Sequence, residues 1–228
     1  MRAADQVVSK LEARIFSGAL AAGDPLPAER ELIEEFHVSR TVAREAVTIL
    51  ASKGLIEAKP RFRPVVRRPD FETALGVLGG IVQHLVGQDG GVRHLFDTRT
   101  FIEAALVRQA AISGDKKDIV NLREALAKNG DAIDDSELFY KTDMAFHSVL
   151  YTIPRNPIFL ALHKSYTAWL GNHWRQMPRL PDRNQRNFEA HQAIFNAILS
   201  RDPDVAEAAL RKHLADAWDQ VHATFDKI

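Results

Sequence analysis

Cysteine is missing altogether from these 228 residues. Disulfides, iron–sulfur clusters and thiolate zinc sites are therefore excluded, and any metal must be held by histidine and carboxylate. Long apolar runs are missing too. Nothing reaches the roughly 18 residues a membrane helix needs, and no signal peptide is visible, so the expectation is a soluble, cytoplasmic chain with no membrane partner. There is no glycine-rich phosphate loop, no GxSxG and no HExxH, which removes three enzyme signatures at once. A net charge is also lacking, since 30 basic residues face 30 acidic ones. What the chain does have is apolar content, 46% of its residues, enough to bury a core and to exclude a disordered chain. Its length suits one large domain or two small ones.

The charge is uneven along the chain. Residues 1–68 carry 12 Lys and Arg against 9 Asp and Glu, and the remainder carries 18 against 21. The stretch KPRFRPVVRR, 59–68, holds five of the positive charges and no acid. Phosphate contacts are local, so such a stripe matters more than the total.

Periodicity is almost wholly helical. Val7, Val8, Leu11 and Ile15 form one stripe, ended by Gly18. GDPLPAER reads as a turn with Pro27 opening a short second helix over 28–36. His37 and Val38 make a tight turn, Ser39 N-caps a third helix, and Gly54 stands where a C′ glycine belongs. LIEA and PVVR predict two short strands around a basic tip, 59–64, and RRPD, 67–70, a linker. From residue 71 the pattern predicts six or seven helices, with breaks at 87–91, 113–115, 129–135, 153–157, 177–182 and 200–203. The fold class expected is mainly α: a winged helix-turn-helix over 1–68 and an all-α antiparallel bundle over 69–228.

FHVSRTVAREAVTIL, 36–50, packs Ala43, Ala46, Val47 and Leu50 on one side and sets Ser39, Arg40, Thr41 and Arg44 at its opening on the other. Two short helices joined by a tight turn, with Arg and hydroxyls leading the second, can place that second helix in a major groove. Arg then takes guanine, and Ser or Thr reaches phosphate or base edges. By itself the helix also reads as a capped surface helix with solvated arginines. The preceding helix, the turn and the basic tip, in that order, favour double-stranded DNA as the partner.

The run GDPLPAERELIEEFHVSRTVAREAVTILASKGLIEA resembles the winged helix-turn-helix of the GntR family of bacterial transcription regulators, over residues 4–66. Leu26-Pro27, Glu29-Arg30, Val38-Ser39-Arg40, Arg44-Glu45-Ala46 and Gly54-Leu55 fall in step with it. The resemblance implies that Arg30, Ser39, Arg40, Thr41 and Arg44 contact DNA. The family's wing usually has a glycine where this chain has Arg63. That departure bears on the wing geometry, while Arg61 and Arg63 offer phosphate or minor-groove contacts in its place.

Histidine supplies the second signal. His191 interrupts the stripe of Phe188, Phe195 and Ile198. His213 interrupts that of Ala206, Leu210, Ala217 and Val221. His147 follows Asp143 by four residues, with Leu150 on the same face, so the pair can share one ion. A single buried histidine is usually just hydrogen-bonded. Three imidazoles and a carboxylate converging in one bundle also suit a divalent metal: zinc, nickel, manganese or iron, with positions left open for a ligand.

Residues 71–224 resemble the all-helical effector domain of the FadR-type branch of that family, and look most like the sialic-acid-responsive type, through GGVRHLFDTRTFIEAALVR, IPRNPIFLALH and RDPDVAEAALRKHL. The resemblance implies that Asp143, His147, His191 and His213 bind a metal, zinc first among the candidates, at the floor of an effector cavity. Arg99, in a stripe with Leu95, Ile102 and Leu106, reads either as an internal ion pair with Glu103 or as the fork that clamps an effector carboxylate. Asn187 and Arg186, one turn before His191, are further cavity candidates. Three imidazoles and one aspartate leave a divalent ion with net positive charge, which points to a small organic acid as effector. The expectation is a homodimeric, effector-responsive regulator, a repressor, on a palindromic operator. Its rivals are a metal-dependent enzyme using the bundle site and a regulator that senses the metal itself.

Overall fold

A computed structural model describes residues 2–59, 61–67, 70–176 and 182–224. Pro60 of the basic tip, Arg68 and Pro69 of the expected linker, and 177–181 of the expected break lie outside the described residues. The chain forms two units, 1–78 and 79–228.

The first unit holds α1 (Ala3–Ser17), α2 (Glu29–Phe36), α3 (Arg40–Ser52), β1 (Ile56–Glu57), β2 (Val65–Val66) and α4 (Phe71–Val77). The stripe of α1 buries Val7, Val8, Leu11 and Ile15 against Leu32, Ala43, Ala46 and Leu50. Pro27 does not open α2. The N-cap is Ala28, and Glu31 reaches back to accept its N–H at 2.6 Å. Proline one residue earlier still serves, because its fixed φ suits the extended approach to the helix. His37, at φ 54°, ends α2. Ser39 caps α3, its Oγ accepting the Val42 N–H at 3.3 Å.

The end of α3 is a Schellman motif. Gly54 sits at φ 71°, its N–H donates to Ala51 O at 2.9 Å, and the Leu55 N–H donates to Leu50 O at 3.1 Å. The turn feeds β1, which pairs antiparallel with β2 in the register Ile56 to Val66 and Glu57 to Val65. The two strands are the wing.

The second unit holds α5 (Gly79–Val86), α6 (Gly91–Ser113), α7 (Lys116–Gly130), α8 (Ser136–Thr152), α9 (Pro157–Gln176), α10 (Arg183–Leu199) and α11 (Pro203–Thr224). Its main core draws Leu106, Val107 and Ala110 from α6, Leu122 from α7, Phe146 and Leu150 from α8, Ile194 and Ile198 from α10, and Leu210 from α11. Asp115 and Asp135 cap α7 and α8 through their side chains. Eight helices follow residue 70 among the described residues, rather than the six or seven expected. The extra break falls at Leu78, which closes α4 just before Gly79 and Gly80, two residues of low helix propensity. The helix-dominated class, with its winged helix-turn-helix and all-helical second part, is as expected. Among the described residues no helix is long and apolar enough to cross a membrane.

Candidate metal centre and nucleic-acid interface

The opening of α3 presents Arg40, Thr41 and Arg44 to solvent. One carboxylate meets both arginines: Glu29 on α2 lies 2.9 Å from Arg40 Nε through Oε1 and 2.9 Å from Arg44 Nε through Oε2. The hydrogen bond from Arg44, ahead of its charge and that of Arg40, holds the Glu29 carboxyl below its ordinary range. Arg30 is exposed and 3.3 Å from Glu34. Ser39 serves its helix as cap, and a hydroxyl that accepts can still donate.

On the wing, the positive φ expected of a glycine is taken by Arg61, at 68°. Arg63 turns back instead. Its Nε donates to Leu26 O at 2.6 Å and its Nη2 to Glu31 at 3.1 Å, so it ties the wing to the start of α2.

In the second unit, α8 carries Asp143 and His147, α10 carries His191 and α11 carries His213. One ligand atom from each lies within 4.8 Å of all the others. His147 Nε2 and His191 Nε2 each stand 3.3 Å from His213 Nε2, and His191 Nε2 stands 3.4 Å from Asp143 Oδ1. The histidines are buried, whereas the Asp143 side chain keeps 18% of its exposure and forms the open side of the set.

Whether this set fits a cation turns on where the ring protons go. His147 Nδ1 is 2.7 Å from Glu103 Oε2. Burial by itself would raise the Glu103 carboxyl, but Arg99 and His147 outweigh it and hold the group well below the usual range. An ionised carboxylate only accepts, so His147 donates from Nδ1. His191 Nδ1 is 2.8 Å from Asn129 Oδ1, while Asn129 Nδ2 donates to Thr142 Oγ1 at 3.0 Å. The amide oxygen therefore faces His191, which donates as well. Both rings turn bare Nε2 lone pairs toward His213 Nε2. A proton on that nitrogen can serve one of the two. A cation serves all three and the aspartate, so the donor set fits a divalent ion. Burial first, then the neighbouring histidines, pushes His191 and His213 well below the ordinary imidazole range and keeps them in the neutral, ligating form.

Arg99 lies beside this set on α6. Its Nε donates to Glu103 Oε1 at 2.7 Å, with both side chains buried, and its guanidinium stands 5.6 Å from the Tyr166 ring centre. The internal ion pair is thus formed. Arg186 is exposed and Asn187 half-buried. Arg183, one turn before Asn187, is half-buried, and burial lowers its pKa against the opposing charge of Asp143. The spacing 183, 187, 191 continues the face that points to Asn187, and following it one turn further back finds Arg183. Asn129 and Tyr151 were also missed. Tyr151 donates to Glu103 Oε1 at 3.2 Å. Asn129 stands in NGDAIDD, where it reads as punctuation.

Comparison with known proteins identifies the two parts of the chain. Residues 3–66 match the bacterial regulatory proteins of the gntR family, and residues 94–216 match the FCD domain. The HTH-type transcriptional repressor NanR of Klebsiella aerogenes is 39% identical over 92% of this chain and 82% of its own. The repressor of the same name from Citrobacter rodentium is 38% identical over 96% and 85%. Among solved structures, Streptococcus agalactiae GntR shares the fold with a TM-score of 0.64, at 21% identity over 94% of this chain and 98% of its own. The resemblance drawn from the sequence motifs is borne out.

Proposed function

The chain belongs to the gntR family of bacterial regulatory proteins and carries an FCD domain, and on that premise we propose that it is a transcriptional repressor whose grip on its operator is set by a small organic acid bound over a divalent ion. It is a regulator and not an enzyme, so the metal-dependent enzyme weighed from the sequence does not stand. The observation that carries the proposal is the convergence of three histidine Nε2 atoms and the Asp143 carboxylate, with two rings oriented from behind by Glu103 and Asn129.

In this reading residues 1–68 bind double-stranded DNA and residues 69–228 bind effector and ion. Arg40, Thr41 and Arg44 enter the major groove, Ser39 and Arg30 meet phosphate, and Arg61 approaches the backbone from the wing. Two copies about a two-fold axis present two such units to a palindromic operator. Asp143, His147, His191 and His213 hold the ion, zinc first among the candidates. Bound there, it supplies an electropositive floor for a carboxylate. The acid reaches it past Asp143, the open member of the set, and its carboxylate is taken by the buried Arg99. It changes repression because it binds one arrangement of the protein better than the other; a coupling of about 1–3 kcal/mol changes operator affinity roughly 5- to 150-fold. The relatives compared above are transcriptional repressors by name, which supports the repressor part of this reading.

The test joins metal analysis to operator binding. Protein purified without chelator should carry close to one divalent ion per chain. Asp143→Ala should lower both occupancy and melting temperature, because an ion bound to the native state alone stabilises it. A panel of sugar acids and aromatic acids should then release the wild-type protein from its operator, and Arg99→Ala should keep operator binding while losing that release. An empty wild-type site, or a cognate effector with no acidic group, would defeat the reading.

A further inference from the structure

Glu103 stands behind the ligand set, not in it. Its carboxylate is fully buried and accepts from three side chains: Arg99 Nε at 2.7 Å and the Tyr151 hydroxyl at 3.2 Å on Oε1, and His147 Nδ1 at 2.7 Å on Oε2. The second oriented ring, His191, is backed by a neutral amide, Asn129. Two of the three imidazoles thus have unlike partners, one anionic and one neutral. A carboxylate at one ring N–H makes the opposite nitrogen a stronger donor to a cation and fixes the ring's aim. Arg99 draws on the same carboxylate from its other oxygen.

We propose that Glu103 is the positioning residue of the ion, and that its charge is shared between His147 and Arg99 so that the ion and Arg99 compete for it. Whatever draws the Arg99 guanidinium off Glu103 concentrates the carboxylate on His147 and tightens the ion. By reciprocity, the ion loosens Arg99 toward an acid by the same factor. The metal and Arg99, the proposed effector cation, are then coupled through one buried carboxylate on α6, one helical turn from Arg99. This rests on the reading that Asp143, His147, His191 and His213 hold an ion.

The experiment measures zinc affinity of the full chain by competition with a chromophoric chelator, together with the absorption spectrum of the cobalt-loaded protein. Wild type should bind zinc and Asp143→Ala should lose it; if wild type takes up no zinc, the underlying site reading fails, and Glu103 with it. Given that result, Glu103→Gln should weaken zinc roughly 10- to 100-fold and shift the cobalt spectrum as His147 is re-aimed. Arg99→Met should hold zinc as tightly as wild type or more so. The double variant Arg99→Met with Glu103→Gln removes both buried charges, which avoids an orphaned ion in the core, and should bind zinc as weakly as Glu103→Gln. It keeps the test open if Glu103→Gln by itself fails to fold. A purely structural role predicts the reverse pattern: both single variants weakened alike and the double restored. That pattern, or wild-type zinc affinity in Glu103→Gln, overturns the proposal.

Discussion

His163 shows how much a single buried side chain can govern. It is 5% exposed, with its ring centre 4.7 Å from that of Tyr151. Burial lowers its pKa from the ordinary 6.5 to about 4. Between those values the unfolded chain binds a proton that the native chain refuses. Stability is therefore fully present above the unfolded pKa and is lost as pH falls through the folded one. At 1.36 kcal/mol per unit, the span is on the order of 3 kcal/mol. His191 and His213 act in the same direction, so His163→Gln should flatten only part of the slope. Urea midpoints at pH 7 and pH 4.5, on chelated protein, would show it; parallel curves for wild type and variant would refute it. His163 is not among the histidines that the sequence pattern singles out. Asp143, His147, His191 and His213 were legible because each put a polar group into an apolar helical stripe. The orienting roles of Glu103 and Asn129 were not, because they depend on contacts 44 and 62 positions away, which no local period encodes.

At the scale of elements, the end of α3 combines two demands on one residue. Gly54 has φ 71°, and a Cβ there would stand 2.5 Å from Thr73 Cγ2 on α4. Gly18, ending α1 at φ 80°, has nothing within 4 Å of that position. Both should resist substitution, but unequally. Gly18→Ala meets the left-handed backbone penalty alone, about 1–2 kcal/mol. Gly54→Ala should lose more, since Thr73 must also move, and chemical denaturation of the two variants isolates that difference. Equal losses would mean that α4 yields freely. Both glycines were readable from the sequence as helix ends, as was the Ser39 cap, because capping chemistry is local. The break at Leu78 was missed because 71–86 keeps an apolar pattern through its glycines. Pro27 was misplaced by one residue, because proline suits both the approach to a helix and its first residue.

Over the whole molecule the formal charge is zero, yet residues 1–68 are basic and end in a basic stripe. The family was legible at this scale because the helix-turn-helix motif lies within one short stretch of sequence, while the candidate ligand set had to be assembled from three helices. The balance of charge has a consequence at the protein–DNA surface. Before any DNA arrives, Arg40 and Arg44 are already held by Glu29. A random duplex offers them phosphates alone, an exchange of one exposed anion for another. A cognate duplex also offers base edges, and a bidentate guanine is worth about 1–3 kcal/mol of discrimination. On the proposed DNA contacts of Arg40 and Arg44, Glu29 would work as a tether against the bulk of the genome: it would shorten residence on irrelevant sequence more than residence on the operator, and so leave more of the protein free to search. Glu29→Gln should raise affinity for random duplexes more than for the operator and steepen the salt dependence of the former. Arg44→Ala should instead lose operator preference. Titrating both variants with operator and scrambled duplexes of equal length, across a salt series, decides the matter. If Glu29→Gln leaves the ratio of the two affinities unchanged, the carboxylate is only packing for α2, and the search is no faster for its presence.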